Sequence, residues 1–237
     1  MDKRFKKIED ILRNNSIPRK NVLRDKEWSF KYVKYRILRP VLKLKYSAFR
    51  KKIDSSPWLS PASILFFEDY LSKDLTGCEF GSGGSTTFFA SRVKSFVSIE
   101  HNKEWYHMVN ERLKKQDLQS VVDYRLIEQQ EPNSTKSSSD VFPTIKGMDQ
   151  YDYRKDYVNY FNALSDFEDG TFDFIIVDGR ARPECVFASI AKLKSNGLMI
   201  LDNSERTRYD IVFDNLKDWE MINTTNGLTN TTLWIKP

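Results

Sequence analysis

At 237 residues, with 40% hydrophobic and 30% charged side chains, the chain is long enough to bury one sizeable core and carry an appendage. No run of eighteen apolar residues occurs, and no apolar stretch follows the basic start from Met1 to Lys7; this argues against a membrane span or secretory leader and for a reducing, cytoplasmic setting. The net charge of +5 divides sharply, since residues 1–52 hold 18 Lys+Arg against 5 Asp+Glu, whereas residues 53–237 hold 20 against 28. A basic arm on an acidic body calls for an anionic partner: a membrane surface, a lipid-linked pyrophosphate or nucleic acid. Two cysteines, Cys78 and Cys185, are too few for a disulfide framework or a zinc site.

In the arm, Phe5, Ile8, Ile11 and Leu12 fall at helical spacing over residues 2–13, before Asn14-Asn15-Ser16 and Pro18 break the pattern. A second basic amphipathic stretch runs from Phe30 to Phe49 and is expected to be interrupted at Pro40. Such stretches either pack on the body with their charges solvated or meet a membrane or partner. Ser55-Ser56-Pro57 reads as the boundary between a largely helical arm, 1–57, and a domain, 58–237. Ser60 and Pro61 suit the N-cap and first position of a helix over 62–71.

The stretch Cys78-Glu79-Phe80-Gly81-Ser82-Gly83-Gly84-Ser85-Thr86 is an apolar strand entering a glycine-rich turn, with Ser85 and Thr86 as candidate caps of the next helix. Nineteen residues after Gly81, at the end of Phe96-Val97-Ser98-Ile99, stands Glu100, where a doubly wound fold places an acid on a ribose. Many tight strand-to-helix turns bind nothing, so the spacing of Glu100 carries the reading. With Glu79 two residues before the first glycine, these residues resemble the class I S-adenosylmethionine-dependent methyltransferases, over roughly residues 58–237. The resemblance implies that Glu79 holds the amino acid part of S-adenosylmethionine and Glu100 its ribose. Gly81, Ser82, Gly83, Gly84 and Ser85 would cradle the cofactor, and His101 and Trp105 would flank its adenine.

A helix over 104–115 and a strand over 121–126 follow, then a Ser-, Asn-, Gln- and Pro-rich insertion, 128–150, expected to be a loop covering substrate. Tyr153, Tyr157, Tyr160, Phe161 and Leu164 share one helical face, leaving Tyr151 as the aromatic candidate for contact with an acceptor. Phe172 to Val177 is an apolar strand of the buried, parallel kind, ending in Asp178-Gly179-Arg180; a helix over 183–193 leads to a strand over 197–201, ending in Asp202-Asn203. Two β-type runs around Asn226-Gly227 form a closing hairpin. The expected class is α/β: a doubly wound, mostly parallel seven-stranded sheet of the Rossmann-like methyltransferase kind, with a C-terminal antiparallel hairpin. That topology gathers Glu79, Glu100, Asp178, Asp202 and Asn203 at one edge.

Asp178, Asp202 and Asn203 look like the metal triad of the cation-dependent O-methyltransferases. That likeness implies Mg²⁺ or another divalent cation acidifying an acceptor hydroxyl. Catechol-type enzymes carry a lysine base where this chain has Ala181, between Arg180 and Arg182. One reading therefore has Asp178 or His101 accept the proton while Arg180 or Arg182 orients an anionic acceptor; the other has a metal-free, hydrogen-bonded site. The motifs also resemble bacterial and viral methyltransferase-like proteins associated with surface glycans. That implies O-methylation of a saccharide or glycolipid hydroxyl, with the arm peripheral at a membrane or against glycosyltransferase partners. An RNA ribose 2′-hydroxyl methyltransferase and a non-catalytic interaction protein are the rival readings.

Overall fold

The computed structural model describes residues 10–19, 30–132 and 134–237, with the backbone alone at Lys31. Seven strands form one sheet: β1 (Thr76–Phe80), β2 (Ser95–Glu100), β3 (Val122–Leu126), β4 (Phe172–Val177), β5 (Leu193–Asp202), β6 (Glu220–Thr225) and β7 (Asn230–Ile235). Their order is β3-β2-β1-β4-β5-β7-β6. The first five run parallel, and β7 lies antiparallel between β5 and β6. This is the doubly wound, Rossmann-like methyltransferase sheet with its closing hairpin. The strand order reverses between β1 and β4, so their carboxyl ends flank the crevice in which open α/β sheets hold ligands.

The continuous apolar run of β4 is buried at every residue except Asp173, as a strand covered on both faces requires. On one face Phe67, Phe89, Phe96 and Phe174 pack together, with neighbouring ring centroids 5.1 to 6.2 Å apart. A Cβ on Gly77 would lie 2.1 Å from Phe174 Cζ, so glycine is what lets that ring cross β1. Around the sheet stand α1 (Phe30–Arg50), α2 (Pro61–Tyr70), α3 (Gly84–Ala90), α4 (Lys103–Lys115), α5 (Ser138–Val141), α6 (Val158–Phe161), α7 (Arg182–Ser189) and α8 (Asp210–Asn215). Ser60 caps α2, its hydroxyl accepting from Ser63 N at 3.2 Å.

Several elements depart from the sequence pattern. α1 runs unbroken through Pro40, where Arg36 and Pro40 are both exposed and water can satisfy the Arg36 carbonyl that loses its donor. Residues 128–150 are not a bare loop: α5 and a 3₁₀ turn at Met148–Gln150 bury Ser138, Phe142 and Met148, with Phe142 against Phe161 and Phe187. The tyrosine face is inward as expected, but its helix is broken into a 3₁₀ turn, Lys155–Tyr157, and α6. β5 starts four residues earlier than expected, at Leu193, and α7 ends correspondingly early.

The expected helix over 2–13 lies outside the described residues except for its last four. There Leu12 is buried and a 3₁₀ turn, Arg13–Asn15, follows. Beyond it Ile17 N donates to Asn223 O at 2.8 Å on the outer strand β6, and Arg13 pairs with Glu220 at 2.5 Å. Arg19 lies over the Phe213 ring at 3.6 Å and donates to the Ser204 and Arg206 carbonyls. α1 is tied to the body at its C-terminal end, where Tyr46 OH donates to Leu59 O at 2.6 Å and Arg50 to Ser56 O.

Candidate functional site

The glycine turn after β1 is shaped by its neighbours. Gly81 has φ +97°, and a Cβ there would lie 2.7 Å from the Gly179 backbone, so the ends of β1 and β4 approach as only glycine allows. Gly83 stands at the N-cap of α3; Ser85 and Thr86 fall inside the helix, where Thr86 Oγ1 accepts from the Gly83 amide at 3.0 Å. Their hydroxyls donate to Glu79, as does Ser98 Oγ at 2.7 Å. Glu79 is fully buried behind the turn, and burial lifts its carboxyl from the usual 4.5 to about 7 against the pull of those three hydroxyls. The side chain staples the turn to β2, its oxygens facing hydroxyls of the protein and not the cavity.

Glu100, at the end of β2, faces the open side. Ser82 N and Oγ donate to its Oε2 at 3.0 and 2.9 Å, and the His101 and Asn102 amides each donate to Oε1 at 2.8 Å. Burial works to raise its pKa, but these bonds and His101 outweigh it and hold the carboxyl below the usual range. Trp105 Nε1 donates to Ser82 O at 2.8 Å, fixing the indole across the turn. His101 Nδ1 stands 2.9 Å from Glu100 Oε1 without the alignment of a hydrogen bond, and its Nε2 accepts from Arg180 Nε at 3.4 Å.

These groups line a cavity of about 810 Å³, a volume in the range of cofactor sites. Gly81, Ser82, Glu100, His101, Trp105 and Asp178 form one side of it; Tyr151, Arg154, Arg180, Glu184 and Arg208 form the other. Glu79, Gly83, Gly84 and Ser85 do not reach it. Tyr151, the expected acceptor contact, has its hydroxyl committed to Glu184 Oε1 at 3.0 Å. Glu184 is a group the sequence did not single out: fully buried on the first turn of α7, it leaves Oε2 without a partner.

The ends of β4 and β5 carry Asp178, Asp202 and Asn203 together, as the topology requires. Ala181 (φ 45°) and Asn203 (φ 50°) both hold left-handed backbone there, a costly conformation for alanine. Arg182, almost fully buried, closes the gap between the strands. It donates to Gly179 O, to Asp202 O, to Asp178 O at 2.7 Å and to Asp178 Oδ1 at 2.7 Å. Burial pushes the Asp202 carboxyl well above the usual range and the Asp178 charge adds to this; Asp178 is raised by its enclosure, with Arg182 opposing.

The donor set does not fit a divalent cation. Asp202 accepts from Thr231 Oγ1 at 3.0 Å and from Asn203 Nδ2 at 2.6 Å, and Asn203 Oδ1 accepts from Arg206 Nη2 at 2.8 Å. The positive charge beside the two strand ends is the Arg182 guanidinium, and Asp178 Oδ1, both Asp202 oxygens and Asn203 Oδ1 already have hydrogen-bond donors. Among the described residues no group of three or more His, Cys, Asp or Glu side chains is arranged to hold a metal ion. The expected metal triad is thus a guanidinium-clamped pair of strand ends.

On the far side of Asp178 lies a second cavity, of about 880 Å³, which Asp178, Asp202, Asn203 and Gly84 also line. Its outer wall is the C-terminal half of α1, with Lys43, Tyr46 and Arg50, continued by Lys51 and Trp58. Asp178, with 35% of its side chain exposed, borders both cavities. The arm residues were legible as basic and amphipathic, but no signal in the sequence marked them as a wall of the site.

No protein-family model and no curated protein sequence matches the chain. Solved structures align with part of it at low identity. The tRNA (m1A58) methyltransferase TrmI from Aquifex aeolicus aligns at 12% identity with a TM-score of 0.48, over 72% of this chain and 66% of TrmI. SMU.1697c from Streptococcus mutans, in complex with SAH, aligns at 10% identity and a TM-score of 0.48, over 70% of this chain and 91% of that one. YcgJ from Bacillus subtilis aligns at 14% identity and a TM-score of 0.39 over 58% of this chain, which spans 48%, about half, of YcgJ. The class is defined by the sheet itself, a Rossmann-like methyltransferase fold with strand order β3-β2-β1-β4-β5-β7-β6.

Proposed function

We propose that the protein is an S-adenosylmethionine-dependent O-methyltransferase acting on a hydroxyl of a saccharide acceptor. The observation that carries this reading is the Glu100 carboxylate, ionised and set in the wall of an 810 Å³ cavity beside the Gly81–Ser82 turn. Its residues fit the cofactor. Glu100 and Ser82 would hold the ribose hydroxyls, and Trp105 and Met108 offer apolar surface to the adenine. The bound sulfonium supplies a methyl group that is already electrophilic, so the protein has mainly to align the acceptor and take its proton.

Asp178 is the group best placed for that proton, because it borders both cavities while His101 lines only the first. Its raised pKa makes it a better base than an exposed aspartate, and Arg182 fixes its orientation. The saccharide is supported by Trp58 and Tyr46 in the second cavity, ring centroids 6.1 Å apart, since aromatic faces stack on sugar rings. α1 would hold the protein against an anionic membrane surface; its seven Lys and Arg, with no acid, also suit the phosphates of RNA.

Calorimetry with S-adenosylhomocysteine tests the donor half. Wild type should bind, and Glu100→Ala should bind about tenfold more weakly or worse, the loss expected for one or two charge-assisted hydrogen bonds. Absence of binding by wild type would remove the reading. Labelled methyl followed into glycan, RNA and protein fractions tests the acceptor, and label confined to RNA would replace the saccharide with a ribose 2′-hydroxyl.

A further inference from the structure

We infer that the second cavity is a phosphate-recognition chamber, so that the acceptor of the proposed reaction carries a phosphate group seated against α1. The inference rests on the reading of the first cavity as the donor site. Its starting point is a difference in charge between the two chambers. Around the first, the five arginines from Arg154 to Arg208 are matched by five acids, Glu100, Glu104, Asp152, Asp178 and Glu184. Around the second stand Lys43, Arg50, Lys51 and Arg112, against only Asp178 and Asp202. Of the two, Asp178 already accepts from Arg182 through its carboxylate, whereas Asp202 accepts from Arg182 only through its backbone carbonyl. The second chamber therefore carries two more cations than acids, and a cavity with an excess of one sign focuses an ion of the other.

The state of the individual side chains points the same way. Lys43, Lys51 and Arg112 form no ion pair among the described residues. Arg50 is held in place, its guanidinium stacked 3.7 Å over Trp58 and donating to Ser56 O, yet its buried Nε has no acceptor. A buried guanidinium N–H without a partner is costly, and burial depresses the Arg50 pKa as well. An oxyanion accepting from it would relieve both effects. Guanidinium and ammonium groups converging on one chamber suit a phosphate, whose several oxygens can accept from all of them. Trp58 and Tyr46 on the same wall leave room for a ring beside that phosphate, and Asp178 at the inner end faces the donor cavity.

The test is titration of full-length protein, saturated with S-adenosylhomocysteine, with inorganic pyrophosphate and with glucose 1-phosphate. A parallel arm uses vesicles of phosphatidylglycerol to ask whether the phosphate belongs to a lipid headgroup. Wild type should bind at least one probe, with affinity that falls as salt rises. Arg50→Gln combined with Lys51→Gln should weaken that binding at least tenfold. Because Arg50 also supports the fold, Arg112→Gln, on the exposed face of α4, is the second variant and should weaken binding severalfold with an unchanged melting temperature. Arg208→Gln, in the other cavity, should leave it unaltered. Binding to vesicles alone, lost in the same variants, assigns the phosphate to lipid. No binding of any probe by protein that still binds S-adenosylhomocysteine would overturn the inference, as would competition between the two ligands or equal loss in Arg208→Gln. Failure to bind S-adenosylhomocysteine while pyrophosphate still binds would instead sink the donor reading.

Discussion

Glu79 shows how a residue in the expected place can serve another purpose. Its position before the glycines implied contact with a cofactor, yet its oxygens face Ser85, Thr86 and Ser98 inside the protein. Burial lifts its carboxyl from 4.5 to about 7, so the native state holds a proton that the unfolded chain releases across that window. Stability from this group is therefore greatest below about pH 4.5, falls as pH rises towards about 7, and is level above. Glu79→Gln keeps the shape and cannot ionise. Its urea midpoint should drop less between pH 5 and pH 8 than that of wild type, and parallel curves would show that Glu79 does not titrate in this range. Arg182 offers the complementary lesson. Read in sequence it was one of two arginines flanking Ala181; in the fold it bridges Asp178 and Asp202, and Asp202 lies twenty residues away. Hydrogen-bond partners at such distances leave no mark on local composition, so the metal likeness of Asp178, Asp202 and Asn203 was legible while the guanidinium beside them was not.

Among the elements, α1 is the least accounted for by the fold alone. Phe30, Ile37, Val41 and Leu44 lie on one stripe and are 86%, 70%, 47% and 71% exposed, among seven cations and no acid. No described helix is long and apolar enough to cross a membrane, but this one has the make-up of a helix lying in a lipid interface. Ile37→Ser with Leu44→Ser should lower partition onto phosphatidylglycerol vesicles at least tenfold, because burying each such side chain is worth roughly 1.5 to 3 kcal/mol. Retained partition would exclude the stripe as the contact. The strands were read from sequence because runs such as Phe172–Val177 are apolar without interruption. Residues 128–150 were not, since their anchors Ser138, Phe142 and Met148 are single residues at irregular spacing, buried by α6 and α7 from elsewhere in the chain.

At the scale of the whole molecule, strand order did what no motif could, bringing residues more than a hundred positions apart to one edge with Asp178 between two chambers. The sequence pattern sufficed for that gathering because topology follows from the alternation of strands and helices. It could not show that the N-terminal segment closes the opposite margin of the sheet. Ile17 meets the Asn223 carbonyl on β6, and Arg13 and Arg19 fasten the segment on either side. An outermost strand otherwise offers its carbonyls and amides to any passing chain, which is how sheets of separate molecules fuse. The segment covers part of that edge, and freeing it should expose β6 to other chains. Ile17→Pro with Arg19→Ala, which removes the donor and the fastening while leaving the chain its full length, should scatter light increasingly with protein concentration and incubation time. A variant that stays as monodisperse as wild type would mean that β6 is protected by other means.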